Sequence, residues 1–351
     1  MSCYEETYYN FELEKVDKWL KRLKVNKILV QMPDGLKKYA PKILEYLAEK
    51  GYIPILSGSH TWGGCDIAEK ESELLGTDAI IHFGHHAPVW LYKKGIISKP
   101  ICFIPVRCKL SLSKIADKII KELNKISVEK IALTAALQHV HEIPSLAKML
   151  VEEGLSVYVT RSGAEAMEPG QIIGCDVTAA KKLDKYVDAH LCIAGGLFHP
   201  LAVSLMTTKP VIRVDPYVSE VDMANLKKEK ERLIKVKTYR LVKALDANLF
   251  YILVSTKTGQ FSFETAVKIR KKLSKKGLRS LIITADDITT QLLENLPEAD
   301  AFINTACPHI GIEDIDSLNR PILNIGEVKY LLTESLNGYG SQDWFKRFLD
   351  S

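Results

Sequence analysis

Three cysteines have neighbours and spacing that could do chemistry. Gly63-Gly64-Cys65-Asp66-Ile67-Ala68 returns 110 residues later as Gly174-Cys175-Asp176-Val177-Thr178-Ala179, and Cys307 lies in Asn304-Thr305-Ala306-Cys307-Pro308-His309. Buried small residues inherited from one ancestral unit would explain the first pair. They would not explain why the third cysteine sits at a different point of the chain pattern. If the three loops face a common centre, three thiolates meet there. That set suits zinc with an open fourth position, or an iron–sulfur cluster with one iron left unligated. Zinc sites draw on cysteine pairs at short spacing, C-x2-4-C, and none occurs. One ligand per repeat instead builds a cavity between domains, which favours iron–sulfur. An open iron there can bind a substrate or give it an electron.

Placing such residues requires a repeated scaffold, and the sequence contains one. Three segments overlay almost without gaps. Each begins with an amphipathic helix (residues 11–23, 112–123 and about 221–245), then an apolar strand (27–32, 130–136, 249–254). A second helix follows in each and ends on Gly51, Gly154 or Gly277, where glycine supplies the left-handed cap. Second strands fall at 53–56, 156–160 and 280–284. The third strand opens each time on Asp-Ala, at 78, 188 and 300, and the fourth on proline, at 100, 210 and 321. The period is therefore about 110 residues.

Continuous apolar strands alternating with helices predict an α/β fold, with parallel sheets covered on both faces. Three repeated domains are expected, 1–108, 109–218 and 219–351, each a small four-stranded parallel sheet flanked by helices, with a central site between domains. Ligands of such sheets bind outside the carboxyl ends of the strands. Cys65 and Cys175 each lie in the loop after strand two, 13 residues before the Asp-Ala marker, and Cys307 lies 7 residues after its marker. All three are expected at carboxyl ends.

Other residues at those ends are candidates for a substrate pocket. Asp34, in Gln31-Met32-Pro33-Asp34-Gly35, could bind an amine or cap the next helix. His82, His85 and His86 flank strand three of the first repeat; His85 aligns with Cys307, as does Gly195-Gly196, where glycine permits close backbone approach. Glu313-Asp314 could cap a helix or bind substrate, and Gln260, after Gly259, could bind a carboxylate or amide. Cys102 and Cys192 fall within strands and read as core. Cys108, placed on a carboxyl-end loop, is the one spare ligand candidate, and Cys3 has no assigned role. Phosphate-loop, dinucleotide and nucleophile-elbow motifs are absent where they would be needed, as is the C-x3-C-x2-C spacing of common radical enzymes.

The chain has 351 residues, 46% hydrophobic and 26% charged, with 48 basic against 43 acidic residues, for a net charge of +5. Its length suits two or three domains. The basic residues spread over helices, which reads as solvated faces and not as a nucleic-acid stripe. Residues 1–6 carry two acids and no apolar segment, so a secretory signal is not expected and the chain is placed in the cytoplasm. The uncharged run 189–208 holds His190, His199, Pro200 and two glycines, and the repeat divides it, so it is not read as a membrane span. Disulfides are rare in that compartment, which leaves ligation, catalysis or burial for the seven cysteines.

These residues resemble the diphthamide synthesis enzymes, the 2-(3-amino-3-carboxypropyl)histidine synthases, in their archaeal single-subunit form. The likeness covers nearly the whole chain. It rests on Pro33-Asp34-Gly35-Leu36, Gly64-Cys65-Asp66-Ile67-Ala68, Gly84-His85, Gly174-Cys175-Asp176, Gly259-Gln260 and Asn304-Thr305-Ala306-Cys307-Pro308. It implies a homodimer whose Cys65, Cys175 and Cys307 hold a [4Fe–4S] cluster, with S-adenosylmethionine as substrate near Asp34, His85, Gly195, Gly196, Gln260 and Glu313. The implied reaction sends one electron from the reduced cluster to the sulfonium and breaks the bond from sulfur to Cγ. Methylthioadenosine and a 3-amino-3-carboxypropyl radical result, and the radical adds to the imidazole C2 of a histidine in translation elongation factor 2. A separate electron donor is required. Where the family often has Ser-Cys after Gly-His, His86-Ala87 stands here, and His309 replaces an arginine after Cys-Pro. A quinolinate synthase-like iron–sulfur dehydratase and a non-catalytic cluster-bearing scaffold subunit are the alternatives.

Overall fold

Every apolar run assigned to a strand forms one, and each set assembles in the same spatial order. In the computed structural model, which describes residues 8–86, 97–163, 168–312 and 318–346, the first sheet runs Ile53–Leu56, Lys27–Gln31, Ala79–Phe83, Ile101–Ile104, all parallel. The second runs Ser156–Tyr158, Lys130–Ala135, Ala189–Ile193, Val211–Asp215. The third runs Arg279–Ala285, Leu249–Ser255, Ala301–Asn304, Ile322–Asn324. Within each set the order is 2-1-3-4, so the chain reverses its direction of progress between strands one and three. Ligand sites of open α/β sheets form beside that reversal, at the carboxyl ends.

The second sheet has a fifth strand that the strand pattern does not announce. Glu220–Asp222 pairs antiparallel with Val211–Asp215, so the long helix expected from about 221 begins at Ala224 and runs Ala224–Leu245. The chain forms two compact units, Met1–Val203 with Lys209–Met223, and Ser204–Thr208 with Ala224–Ser351. The first contains the first two sheets and the second contains the third sheet.

Strands with apolar residues on both faces need cover on both. In the first sheet Ile28, Val30, Ile81 and Phe83 pack with Val16 and Leu20 of helix Leu13–Leu23 and with Ile43 and Leu47 of helix Ala40–Glu49. Leu29 and Ile80 look the other way and meet Ile67, two residues past Cys65. Full burial of such a side chain contributes about 1.5–3 kcal/mol. Ile67 thereby ties the cysteine loop to the sheet. The second helix of each set ends on a glycine in the left-handed region, Gly51, Gly154 and Gly277, where a Cβ would add strain.

The Asp-Ala marker has a physical reason. One carboxylate oxygen of Asp78 accepts the backbone N–H groups of Asn26 and Lys27, at 2.9 and 2.8 Å. Asp188 does the same for Glu129 and Lys130, and Asp300 for Asn248 and Leu249. The start of strand three is thus clamped to the start of strand one in every sheet. The proline marker adds a carbonyl: those of Pro100, Pro210 and Pro321 accept from Ile80, His190 and Phe302.

Asp300→Ala strands two N–H groups, as loss of a helix N-cap does, and is expected to cost about 1–2 kcal/mol in urea unfolding; Asp300→Asn, which keeps an acceptor oxygen, is expected to cost less.

Candidate functional site

The loop carrying Cys65 is built from its own backbone and from strand one. Asp66 N–H bonds to the Gly63 carbonyl at 2.9 Å, and the Asp66 carboxylate accepts Trp62 N–H at 3.1 Å. Gln31, which ends strand one, is 1% exposed. Its Nε2 donates to the Asp66 carbonyl at 2.7 Å and its Oε1 accepts Ala68 N–H at 3.1 Å, so one amide bridges the loop from both sides. The second cysteine loop is a variation on this design. Ile173 and Asp176 exchange two backbone hydrogen bonds around Gly174-Cys175, while the Asp176 carboxylate takes Thr178 N–H at 2.9 Å and the Ser162 hydroxyl. The aspartate after each cysteine therefore shapes the loop.

Cys307 is held by two asparagines. Asn304 Nδ2 donates to the Cys307 carbonyl at 2.7 Å and to Asn324 Oδ1 at 2.9 Å, and Asn304 Oδ1 accepts Ala306 N–H at 3.0 Å. Asn324 Nδ2 reaches the Pro308 and Trp344 carbonyls, both at 2.8 Å. Pro308 opens the short helix Pro308–Gly311, where its missing N–H costs nothing. Gly311 has no side chain because a Cβ there would lie 2.3 Å from Asn324 Oδ1. Behind Asn324, Glu327 accepts its backbone N–H and pairs with Lys237 at 2.6 Å, both side chains fully buried.

The six described cysteines divide into two classes, and none is in a disulfide. Cys65, Cys175 and Cys307 are partly exposed, each on a carboxyl-end loop of a different sheet; Cys102, Cys108 and Cys192 are buried. Burial pushes the Cys102 thiol up to about 11 and the Cys192 thiol up to about 12, so neither is a ready thiolate. Cys108 differs from its expected loop position: Arg107–Cys108 pairs antiparallel with Tyr9–Asn10, and its thiol, also raised by burial, lies against the Tyr217 hydroxyl. It is not an accessible spare ligand. The donor set of the three partly exposed thiols fits an iron–sulfur cluster. Among the described residues no group of three His, Cys, Asp or Glu side chains gathers closely enough to hold a metal ion.

Other candidates are placed as follows. Asp34 does not cap its helix; its carboxylate accepts from Lys37 Nζ at 2.7 Å and contacts His60, and these two hold its pKa below the usual range. Gly195 admits the Tyr217 ring, which a Cβ would meet at 2.8 Å, so the close approach there is by the protein itself. Gly196, at φ +69, gives its N–H to Asp215 at 2.7 Å. Gln260 closes a turn on the Lys257 carbonyl at 3.0 Å. Glu313 and Cys3 lie outside the described residues. His82 does not flank its strand but lies within it, fully buried, opposite Gln31. His85 follows it at the carboxyl end and is partly exposed. Burial lowers the pKa of His82, and that of His85 to about 4.

Sequence reasoning missed several residues. Lys257 is 6% exposed at the end of strand one of the third sheet, 3.2 Å from Asp287. His139, 1% exposed, stands at the equivalent end of the second sheet with its ring edge-on to Tyr217. Gln31 and His82 are polar residues that follow Ile28-Leu29-Val30 and Ile80-Ile81, and a polar residue at the end of such an apolar run is the signal of a buried network.

A 2-1-3-4 parallel sheet repeated three times, with one partly exposed cysteine on a carboxyl-end loop of each copy, defines the class of α/β protein. Residues 32–341 match the model of the diphthamide synthesis protein family, and the chain belongs to that family. It is 32% identical over 315 residues to the 2-(3-amino-3-carboxypropyl)histidine synthase of Pyrococcus horikoshii, covering 90% of this chain and 88% of that one. It is 24% identical over 334 residues to subunit 1 of the Saccharomyces cerevisiae enzyme, covering 93% and 76%. The crystal structure of Dph2 from Pyrococcus horikoshii with a 4Fe-4S cluster superposes with a TM-score of 0.81 at 30% identity, covering 93% of this chain and 91% of that one. No described helix is long and apolar enough to cross a membrane.

Two measurements test the site. In cluster-free protein, iodoacetamide is expected to label Cys65, Cys175 and Cys307 at least ~100-fold faster than Cys102 and Cys192, because a pKa raised by two units leaves about a hundredth of the thiolate; mass spectrometry of the peptides reads it. The native state holds His85 and His139 neutral, with pKa values of about 4 against 6.5 when unfolded. Their stabilising contribution is complete above pH 6.5 and is lost as the pH falls through about 4, so the urea midpoint is expected to fall over that window.

Proposed function

We propose that this chain is a 2-(3-amino-3-carboxypropyl)histidine synthase, a transferase that moves the 3-amino-3-carboxypropyl group of S-adenosylmethionine to C2 of a histidine in translation elongation factor 2. The observation that carries this reading is the division of the cysteines: one partly exposed thiol at the carboxyl end of each sheet, and every other described thiol buried. A 30%-identical neighbour whose structure contains a 4Fe-4S cluster supports it.

In this reading residues 1–108, 109–218 and 219–351 are three copies of one unit. Cys65, Cys175 and Cys307 hold a [4Fe–4S] cluster, with S-adenosylmethionine binding near His85, Gly195, Gly196, Gln260 and Glu313. Asp34, whose carboxylate is engaged by Lys37 and His60, belongs to the same pocket in this reading. The cluster, when bound, supplies the single electron that breaks the bond from sulfur to Cγ. The protein's part is positioning: amide and carboxylate side chains fix the backbone of each cysteine loop, so each loop would hold its thiol in one place when the cluster is bound. Gln31 braces Cys65, Asp176 shapes the turn of Cys175, and Asn304 with Asn324 fixes the turn of Cys307. The working form is a homodimer in the cytoplasm, served by a separate electron donor.

Anaerobic incubation of reconstituted protein with S-adenosylmethionine and dithionite, followed by chromatography of the nucleosides, tests the reading. Methylthioadenosine is expected as the main product. Alanine at Cys65, Cys175 or Cys307 is expected to remove cluster iron and cut product by more than the about 10- to 100-fold lost when a residue that only orients a ligand is changed; Cys192→Ala leaves both. Dominant 5′-deoxyadenosine, or no product from intact cluster, would overturn it.

A further inference from the structure

The hydrogens around His85 can be placed without being seen, because the chain that ends on it begins at two backbone groups. The Asp66 carbonyl can only accept and Ala68 N–H can only donate. Gln31 meets both, so its Nε2 faces Asp66 and its Oε1 faces Ala68. The same Oε1 lies 3.1 Å from His82 Nδ1. An amide oxygen cannot donate, so His82 Nδ1 bears the hydrogen. His82 is fully buried, with no carboxylate on its ring, and burial favours the neutral imidazole. Its Nε2 is then a lone pair, and that atom lies 2.9 Å from His85 Nδ1. His85 must therefore donate from Nδ1. Its own low pKa, about 4, keeps it neutral and leaves Nε2 with an unshared pair.

This directed lone pair stands beside the chain reversal of the first sheet, where Gln31 and His82 are register partners. It also stands 7 residues past Asp78, the position that Cys307 occupies past Asp300. The amide that orients His85 is the one that braces the Cys65 loop. An acceptor so placed serves whatever part of a substrate must lie closest to that loop.

We propose that His85 Nε2 accepts a hydrogen bond from the α-ammonium of the aminocarboxypropyl group, with Gln31 and His82 as positioning residues that fix its tautomer. The inference rests on the synthase reading. A cationic donor is the favoured match because a hydrogen bond with one charged member is roughly twice as strong as a neutral one. The adenine amine offers only a neutral N–H and belongs to the part that leaves.

The test compares two ligands that share the thioadenosine part and differ in the amino-acid part. Calorimetric titration of cluster-loaded protein with S-adenosylhomocysteine and with methylthioadenosine measures the difference directly. His85→Leu is expected to weaken S-adenosylhomocysteine about tenfold or more, the loss of one hydrogen bond to a charged group, and to leave methylthioadenosine unchanged. His85→Gln, which keeps an acceptor, is expected to recover part of the loss. Equal weakening of both ligands, or no weakening of S-adenosylhomocysteine, overturns the proposal. If the wild-type protein bound neither, the synthase reading itself would fall. Neutron diffraction gives a check free of any ligand: deuterium is expected on Nδ1 of His82 and His85, and deuterium on His85 Nε2 would sink the assignment.

Discussion

One carboxylate in each sheet does what the rest of the structure depends on. Asp78, Asp188 and Asp300 each gather the two N–H groups at the start of strand one onto the first residue before strand three. A slip of one residue between those strands would turn every core side chain to the wrong face. The clamp forbids it, because the carboxylate would lose both donors. For Asp78 and Asp188 the two N–H groups also hold the carboxyl below its usual pKa, the sign of a carboxylate bound as an anion. With the amino ends fixed, the register near the carboxyl ends follows: Gln31 lies opposite His82, Ala135 opposite Ile193 and Leu253 opposite Asn304.

From that shared base each loop is finished by a side chain that reads backbone atoms. Gln31 does so for the first cysteine loop, Asp176 for the second, and Asn304 with Asn324 for the third. Amides suit a buried brace, since one group offers both donor and acceptor and an unpaired buried polar atom costs about 1–3 kcal/mol. The third brace is anchored more deeply than the others, through Glu327 to the fully buried Lys237. Removing one member of such a buried pair is far costlier than replacing both. The ion pair therefore ties the helix Ala224–Leu245 to the turn that presents Cys307.

Much of this was legible because the informative contacts recur. Asp-Ala, proline and glycine at a constant period mark a clamp, a strand opening and a helix cap, and each is a backbone device that works the same way in every copy. Glu220–Asp222 was hidden because three residues of mixed polarity announce no strand; it forms only because Val211–Asp215 presents an edge. Gly195 was legible as a point of close approach, but not that the ring of Tyr217, 22 residues on, makes one there. Asp34 sat where an N-cap is common, yet Lys37 and His60 claim its carboxylate. In each case the deciding partner comes from a segment that local pattern cannot connect. The burial that separates Cys108 from Cys65 is of the same kind.

The displaced third cysteine follows from the same geometry. At the carboxyl ends of a 2-1-3-4 sheet, the loop after strand two leaves an outer strand and returns across strand one, and the loop after strand three leaves beside the reversal. The first two sheets place the thiol on the former, and use the latter for the acceptor His85 and for the turn at Gly195-Gly196. The third reverses the choice: Cys307 takes the strand-three position, and the end of strand one offers Lys257 beside Asp286 and Asp287. Each sheet thus carries, besides its thiol, a different second group at its own carboxyl end: His85 in the first, the Gly195-Gly196 turn in the second and Lys257 in the third, so one repeated frame offers three unlike sets of contacts.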